Sequence, residues 1–296
     1  MKNYTLSRHY KKKISGFTDW EQKSHAEDYL LYPNNLGEHL SIDEVSLSKG
    51  ELYTYLTNKK GRAKKGTLVA SVTGTKSQNI IDVITKIPLE ERMKVKEITL
   101  DMANNMNLVA RTCFPNAKIV TDRFHVVKLV IDALQHVRIE YRWKEIKKEN
   151  QAIKQAKKNK TNYNPILLSN GDSPKQLLAR SRYIITKSQD KWTESQKERA
   201  EVLFNLYPRI KQAYEHAIEF RNIFEMKDKI RASEKITRWI SDSKELKFDN
   251  FNIAANSINN HLDTILNFFD NRSTNANAES FNSKIKLFRA NLRGVT

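Results

Sequence analysis

The sequence predicts an α/β fold, with a mixed five-stranded sheet flanked by helices and followed by a large all-helical region. Three observations predict it. Between residues 39 and 121, runs rich in β-formers come in the order β-β-β-α-β-α-β. Two of these runs, 96–100 and 117–121, are short, apolar and β-branched, as buried parallel strands are, and each closes on an aspartate, Asp101 and Asp122. After His125 the apolar spacing becomes helical and stays so.

Taken in order, residues 1–36 are polar and basic. Lys2, Arg8, Lys11, Lys12 and Lys13 come with no acid in the first thirteen positions, as a solvated tail or an arm laid along phosphates. Residues 29–33 lead into the first strand. Residues 39–45 form strand one, with Asp43 inside it. Lys49-Gly50 makes a turn, and 51–58 pairs back as a hairpin. A basic loop follows, Lys59-Lys60-Gly61-Arg62-Ala63-Lys64-Lys65-Gly66. It reads as a mobile hairpin tip, either simply solvated or touching a phosphate backbone. Residues 67–73 form strand three.

A helix then starts with Ser77 as N-cap, carries Ile80, Ile81, Ile84 and Ile87 at helical spacing, and stops at Pro88. Strand four, a short helix from about Asn104, and strand five complete the sheet. An acid just past a parallel strand faces the carboxyl edge, where open α/β sheets place ligands. Asp101 and Asp122 are therefore candidate site residues. No glycine-rich phosphate loop of the Rossmann or P-loop kind is present.

Residues 126–160 read as one long helix. Its first half carries Val126, Val127, Val130, Leu134, Val137 and Tyr141. Its second half has eight Lys/Arg against Glu145 and Glu149, so it faces solvent or a polyanion. A loop over 162–173 precedes a helix from Ser173-Pro174. Thr193 and Gln196 form a capping box for the next helix, which Pro208 breaks. Further helices follow to about 269. A last helix starts near Asn275 and places Glu279, Asn282 and Lys286 on one face. A carboxylate, an amide and a cation so arranged suit a metal and phosphate site, or an ordinary charged surface helix.

Composition limits the function. The 296 residues are 39% hydrophobic with eight glycines and six prolines, as in a globular chain. The single cysteine, Cys113, excludes an internal disulfide and a Cys-rich zinc site and reads as a buried small residue. No apolar run approaches the roughly 18 residues of a membrane span, and the first residues lack a signal-peptide core, so the expectation is a cytoplasmic protein with no membrane partner. The formal charge of +18 points to a polyanionic partner, most simply nucleic acid.

Five separated blocks resemble one family. They are Ile42-Asp43-Glu44, Leu100-Asp101-Met102, Phe114-Pro115-Asn116-Ala117, Val120-Thr121-Asp122-Arg123-Phe124-His125-Val126, and Ala278-Glu279-Ser280-Phe281-Asn282-Ser283-Lys284-Ile285-Lys286. In this order they are similar to the DDE transposases of bacterial insertion sequences of the ISL-three type, from about residue 36 onward. The resemblance implies a ribonuclease H-like fold, with a core over 37–126, an all-helical insertion over 127–268 and the core's glutamate-bearing helix over 269–296. It implies that Asp43, Asp101 and Glu279 are catalytic metal ligands, 58 and 178 residues apart. Asp122 and His125 match a Cys/Asp-x-x-His element and imply support of the site, as do Asn282 and Lys286. The alternative, with Asp122 as second ligand and Asp101 structural, stays open.

Carboxylates suit hard, oxygen-preferring Mg²⁺, with Mn²⁺ as a substitute. Two such ions would serve an in-line phosphoryl transfer. The resemblance thus implies an enzyme that cuts element ends and joins the freed 3′-hydroxyl to target DNA. Other readings are an inactive nucleic-acid-binding relic and a nuclease without strand transfer. The expected DNA contacts are Lys59, Lys60, Arg62, Lys64, Lys65, Arg123, Lys147, Lys148 and Lys284. Double-stranded DNA is the expected partner, bound by a homodimer associated with the bacterial nucleoid. No zinc finger or helix-turn-helix is recognisable before Asp43, and the chain stops at Arg293-Gly294-Val295-Thr296, soon after the glutamate helix. Either a DNA-binding region is on a separate polypeptide or the chain is a fragment.

Overall fold

A computed structural model describes residues 8–47 and 50–291. Lys2 of the basic arm, Lys49 of the expected turn and the terminal Arg293 to Thr296 lie outside the described residues. The chain forms two compact units, one of residues 1–122 with 271–296 and one of residues 123–270.

The first unit is built on a six-stranded mixed sheet, not the five-stranded sheet expected. Its strands are β1 (Tyr29–Leu31), β2 (His39–Ser46), β3 (Leu52–Asn58), β4 (Leu68–Thr73), β5 (Glu97–Leu100) and β6 (Lys118–Thr121), in the order β1-β4-β3-β2-β5-β6. The additional strand is β1. Three residues are too few to show a period of two, so only their pairing with β4 identifies them. That pairing is antiparallel and is extended by Tyr32 N donating to Val69 O and Thr73 N to Asp28 O. Strands β2, β3 and β4 form an antiparallel meander, while β5 and β6 run parallel to β2.

The parallel strands need crossovers, and two helices supply them. Helix α1 (Ser77–Ile84) leads to β5, and α2 (Asn104–Cys113) leads from β5 to β6. Ser77 is the first residue inside α1; Lys76 takes the N-cap position and makes no side-chain cap bond, so the serine cap expected from the sequence does not form. Ile80, Val83 and Ile84 of α1 and Met106, Val109, Ala110 and Cys113 of α2 pack on Leu40, Ile42, Leu56, Ile98, Leu100 and Ile119 of the sheet. This apolar face is the core of the unit. Cys113 is fully buried, and burial pushes its thiol up to about 11, so it packs as an inert small side chain. The buried Arg92 ties the core's lower edge by donating to Ile87 O (2.9 Å) and Cys113 O (2.6 Å).

The other face of the sheet is polar. Between the apolar Leu40 and Ile42 the chain sets Ser41, and between Ile98 and Leu100 it sets Thr99. The parallel register pairs His39 with Glu97 and Ser41 with Thr99. Strand side chains alternate between faces, so a register that buries one face in oil presents the other as a polar row. Helix α9 (Ala276–Asn291) belongs to this unit and packs against β2.

The second unit is all helical. Helix α3 (Arg123–Lys158) buries Val126, Val130, Ala133, Leu134, Val137 and Arg138, and no residue beyond Arg138 in it is buried. Its basic half is therefore exposed, as the missing apolar stripe predicts. Helices α4 (Pro174–Arg180), α6 (Pro208–Ile223) and α8 (Asp249–Asn260) pack against it, while α5 (Glu194–Leu206) packs on α4 and α6, and α7 (Lys229–Glu245) on α6 and α8. The Thr193–Gln196 capping box forms, with Thr193 N donating to Gln196 Oε1 at 3.3 Å. An equivalent box, Ser173 with Gln176, opens α4.

The unit's core is aromatic. His216 stacks on Trp239 at 4.5 Å and bonds to Ser243 Oγ at 2.7 Å, and the Trp239 indole donates to His216 O. Burial holds the His216 pKa down to about 4. Asp172, fully buried, takes Arg180 and Arg199 (3.0 Å) as ion-pair partners.

Candidate active site

Asp101 and Asp122 stand just past the carboxyl ends of β5 and β6, and Asp43 lies inside the neighbouring parallel strand β2. The β5–β6 register pairs Leu100 with Thr121, one residue before Asp101 and Asp122, and Asp122 N continues the ladder by donating to Leu100 O at 2.8 Å. The β2–β5 register pairs Ser41 with Thr99, two residues before Asp43 and Asp101. Continued by two residues, it puts all three carboxylates at one level of the sheet, on the polar side.

Their settings differ. Asp43 is half-buried, and its Oδ2 accepts from Asn282 Nδ2 of α9 at 2.5 Å while Oδ1 accepts from Glu44 N at 2.9 Å. Asp101 Oδ1 accepts from Ala103 N at 2.8 Å, a turn that starts α2. Asp122 is buried and offers a carboxylate oxygen within 4.8 Å of one on Glu279. Glu279 lies in the first turn of α9, one turn before Asn282, so a single helix reaches both Asp43 and Asp122.

What docks α9 is spread along its length. Phe281 packs edge-on against Tyr55 of β3 at 5.6 Å. Lys284 Nζ donates to Ala63 O at 2.6 Å, Asn277 Nδ2 donates to Lys59 O at 3.2 Å, and Arg289 pairs with Glu51. The face predicted for Glu279, Asn282 and Lys286 divides: Asn282 is buried, whereas Lys286 is exposed at the helix surface.

The loop over 59–66, expected as a hairpin tip, follows β3 and leads into β4. It opens with a 3-10 turn, Lys59–Gly61, capped by Asn58 Oδ1 accepting from Lys60 N at 3.0 Å. Lys60, Arg62, Lys64 and Lys65 are exposed. Lys59 departs from them, because its ammonium turns inward to Glu97 (3.1 Å) and to the Thr99 hydroxyl. Glu97 at the base of β5 would be an intolerable buried charge by itself. Its burial pulls the carboxyl up, but hydrogen bonds from Ser273, Lys59 and Asn271 and the charge of Lys59 outweigh that and hold it below its usual value. Burial lowers the Lys59 pKa against the opposing charges of Glu97 and Asp122. This buried network, Lys59–Glu97–Thr99 with Asn271 and Ser273, is what sequence reasoning missed. The available signal was Glu97 itself, an acid inside a strand that is otherwise apolar.

The remaining expected DNA contacts lie in the helical unit. Arg123 pairs with Glu225 at 3.4 Å and lies over the Phe268 ring. Lys147 and Lys148 are exposed on α3, and Lys148 pairs with Glu145 at 2.7 Å. His125 sits three residues past Asp122, in the first turn of α3.

With three sheet-borne aspartates and a helix-borne glutamate in place, the comparison with known families is decisive. Residues 40–296 match the model of the DDE transposases of the ISL-three type, a family described as Transposase. The chain belongs to this transposase family. No curated protein and no solved structure matches it. The matched span begins just before Asp43 and runs past Glu279, so every acid at the sheet edge of this transposase lies inside it. Transposases of this family act on DNA with divalent metals, and the net charge of +18 suits that partner. No helix among the described residues is long and apolar enough to cross a membrane.

The donor set fits such a metal. Asp43, Asp101, Asp122 and Glu279 offer only carboxylate oxygens, the ligands that Mg²⁺ and Mn²⁺ prefer over nitrogen or sulfur. Two carboxylates as close as those of Asp122 and Glu279 repel unless a cation or a proton lies near them.

Proposed function

We propose that this chain is the catalytic part of a DNA transposase with a ribonuclease H-like core. It cuts the ends of an insertion sequence and joins the 3′-hydroxyl to target DNA. The observation that carries this reading is the convergence on one sheet edge of Asp43, Asp101 and Asp122 with the helix that bears Glu279. The strand order β4-β3-β2-β5-β6, a meander followed by two parallel strands returning through helices, supports the ribonuclease H-like assignment.

In this reading Asp43, Asp101 and Glu279 hold two Mg²⁺ ions, and Asp122 supplies a further oxygen beside Glu279. Bound there, the ions would activate the attacking hydroxyl and stabilise the leaving oxygen of an in-line displacement. The protein's own part is to hold the carboxylates before substrate arrives. Asn282 fixes the Asp43 rotamer by donating to Oδ2, and the Ala103 amide fixes Asp101. The inward ammonium of Lys59 lowers the cost of keeping Asp122 ionised. His125, one helical turn past Asp122 in sequence, supports the same edge. The basic surface of both units draws in duplex DNA, and two copies handle the paired ends.

Incubating labelled element ends and a target plasmid with Mg²⁺ tests the reading. Joined products are expected from the parent chain. Glu279→Gln is expected to abolish Mg²⁺-dependent cleavage and leave DNA binding intact; full cleavage by that variant would overturn the assignment. Cut but unjoined products would instead indicate a nuclease.

A further inference from the structure

A groove of about 1150 Å³ opens at the opposite end of the sheet from the aspartates. It lies along the amino end of β2, the end of β3 and the loop after β3. Its lining includes His39, Lys60, Arg62 and Lys64. Glu38 is the acid in the lining, and Lys96 neutralises it at 2.8 Å. Lys59 also borders the groove, but its charge is already matched by Glu97. What the groove presents outward is thus a set of cations.

The loop is built to present them. Arg62 and Ala63 both have positive φ, 48° and 56°, although neither is glycine. That conformation is costly for residues with a Cβ and persists where the surroundings impose it. Here the surroundings are Lys284 and Asn277 of α9, which hold the carbonyls of Ala63 and Lys59. Gly61 leaves no room for a Cβ, which would meet Thr67 Oγ1 at 2.4 Å. The turn is therefore pressed against the start of β4, and Ala63 is buried beneath it while Arg62 and Lys64 stay exposed.

We propose that this groove binds the phosphate backbone of duplex DNA, as a second contact remote from the metal-binding edge. The proposal rests on the reading that the aspartates act on DNA. His39 precedes Asp43 by four strand residues, about 13 Å, which spans roughly four base pairs of B-form duplex. The contact therefore grips flanking DNA rather than the scissile phosphate. Because α9 carries Glu279 and also fixes the loop, the grip and the catalytic carboxylate share one support.

The test is the salt dependence of binding to a fluorescein-labelled duplex of random sequence. Each phosphate contact contributes about 0.9 to the slope of log affinity against log salt. Lys60→Gln/Arg62→Gln/Lys64→Gln is expected to reduce the slope by roughly 2 to 3, and Arg62→Gln alone by about 1. A charge-matched control, Lys76→Gln/Lys94→Gln/Arg111→Gln, is expected to change it by less than about 1. Thermal melts check that each variant folds. An unchanged slope in the groove variant, or an equal fall in the control, overturns the proposal. Glu279→Gln separates it from the catalytic reading. If that variant still cleaves while the groove variant loses slope, the metal assignment fails and the groove stands. If the parent chain binds no DNA, both fail.

Discussion

The two units bury polar groups for different ends. In the helical unit the buried Asp172, His216 and Arg138 are each matched locally. Asp172 takes two arginines, His216 takes Ser243, and Arg138 donates to Leu178 O at 2.7 Å. These groups are scattered and stitch one helix to the next. In the sheet unit Arg92 is likewise matched locally, but a row of polar residues lies on one face, in register, and leads from Glu97 through Thr99 to the aspartates. The difference teaches that polarity inside a fold points to chemistry when it is aligned along one surface, and to structure when its partners are local and dispersed.

Substitutions in the two regions should separate these roles. The largest effect belongs to the sheet edge. Asp101→Asn should lower cleavage of element ends by on the order of 10³-fold while the melting temperature stays close to that of the parent chain. Asp122→Asn should cost less, roughly 10- to 100-fold, as a supporting carboxylate would. If single-turnover cleavage shows the reverse order, the two aspartates exchange roles.

In the helical unit the expected losses are of stability alone. The His216 pKa of about 4 lies below its unfolded value near 6.5. The folded state therefore binds fewer protons, and the stabilisation is fully present above about pH 6.5 and fades as pH falls toward 4. The loss should reach about 3 kcal/mol, readable in urea melts followed by fluorescence of the stacked Trp239. His216→Phe should flatten that pH dependence. An unchanged acid limb in the variant would show that other groups cause it. The smallest effect is expected for Asp172→Asn, which removes a buried charge between two arginines. A cost of about 2 kcal/mol, with unaltered cleavage per folded molecule, is the expected outcome. Lost cleavage in a folded Asp172→Asn protein would break the distinction between the units.

Much of the sheet is legible in the sequence. The runs at 39–45, 51–58, 67–73, 96–100 and 117–121 carry strand composition strongly enough to be seen alone. Asp43, Asp101, Asp122 and Glu279 stand out by motif. Other features are invisible for physical reasons. β1 exists because β4 offers an edge, which no local pattern records. Lys59 reads as one more cation in a basic loop, since only the tertiary fold reveals that Glu97 needs it. Ser77 has the right residue type for a cap, but α1 begins at Ser77 itself, so its hydroxyl does not cap the helix. Equally, the closeness of Glu279 to Asp122 depends on how α9 is held by Asn277, Phe281 and Lys284, whose partners are more than 200 residues away.

The sheet unit is discontinuous, with the whole helical unit between Asp122 and Asn271. During synthesis Asp122, the last of the three aspartates, leaves the ribosome 157 residues before Glu279. At typical elongation rates of roughly 5–20 residues per second, that is a delay on the order of ten seconds or more. In that interval the sheet can form, but Glu97 still lacks Asn271 and Ser273, and the 59–66 turn lacks Lys284 and Asn277. A nascent chain therefore carries an incomplete set of acids and an unbraced loop. The set of carboxylates is complete only when the last helix has been made and has closed onto the first strand.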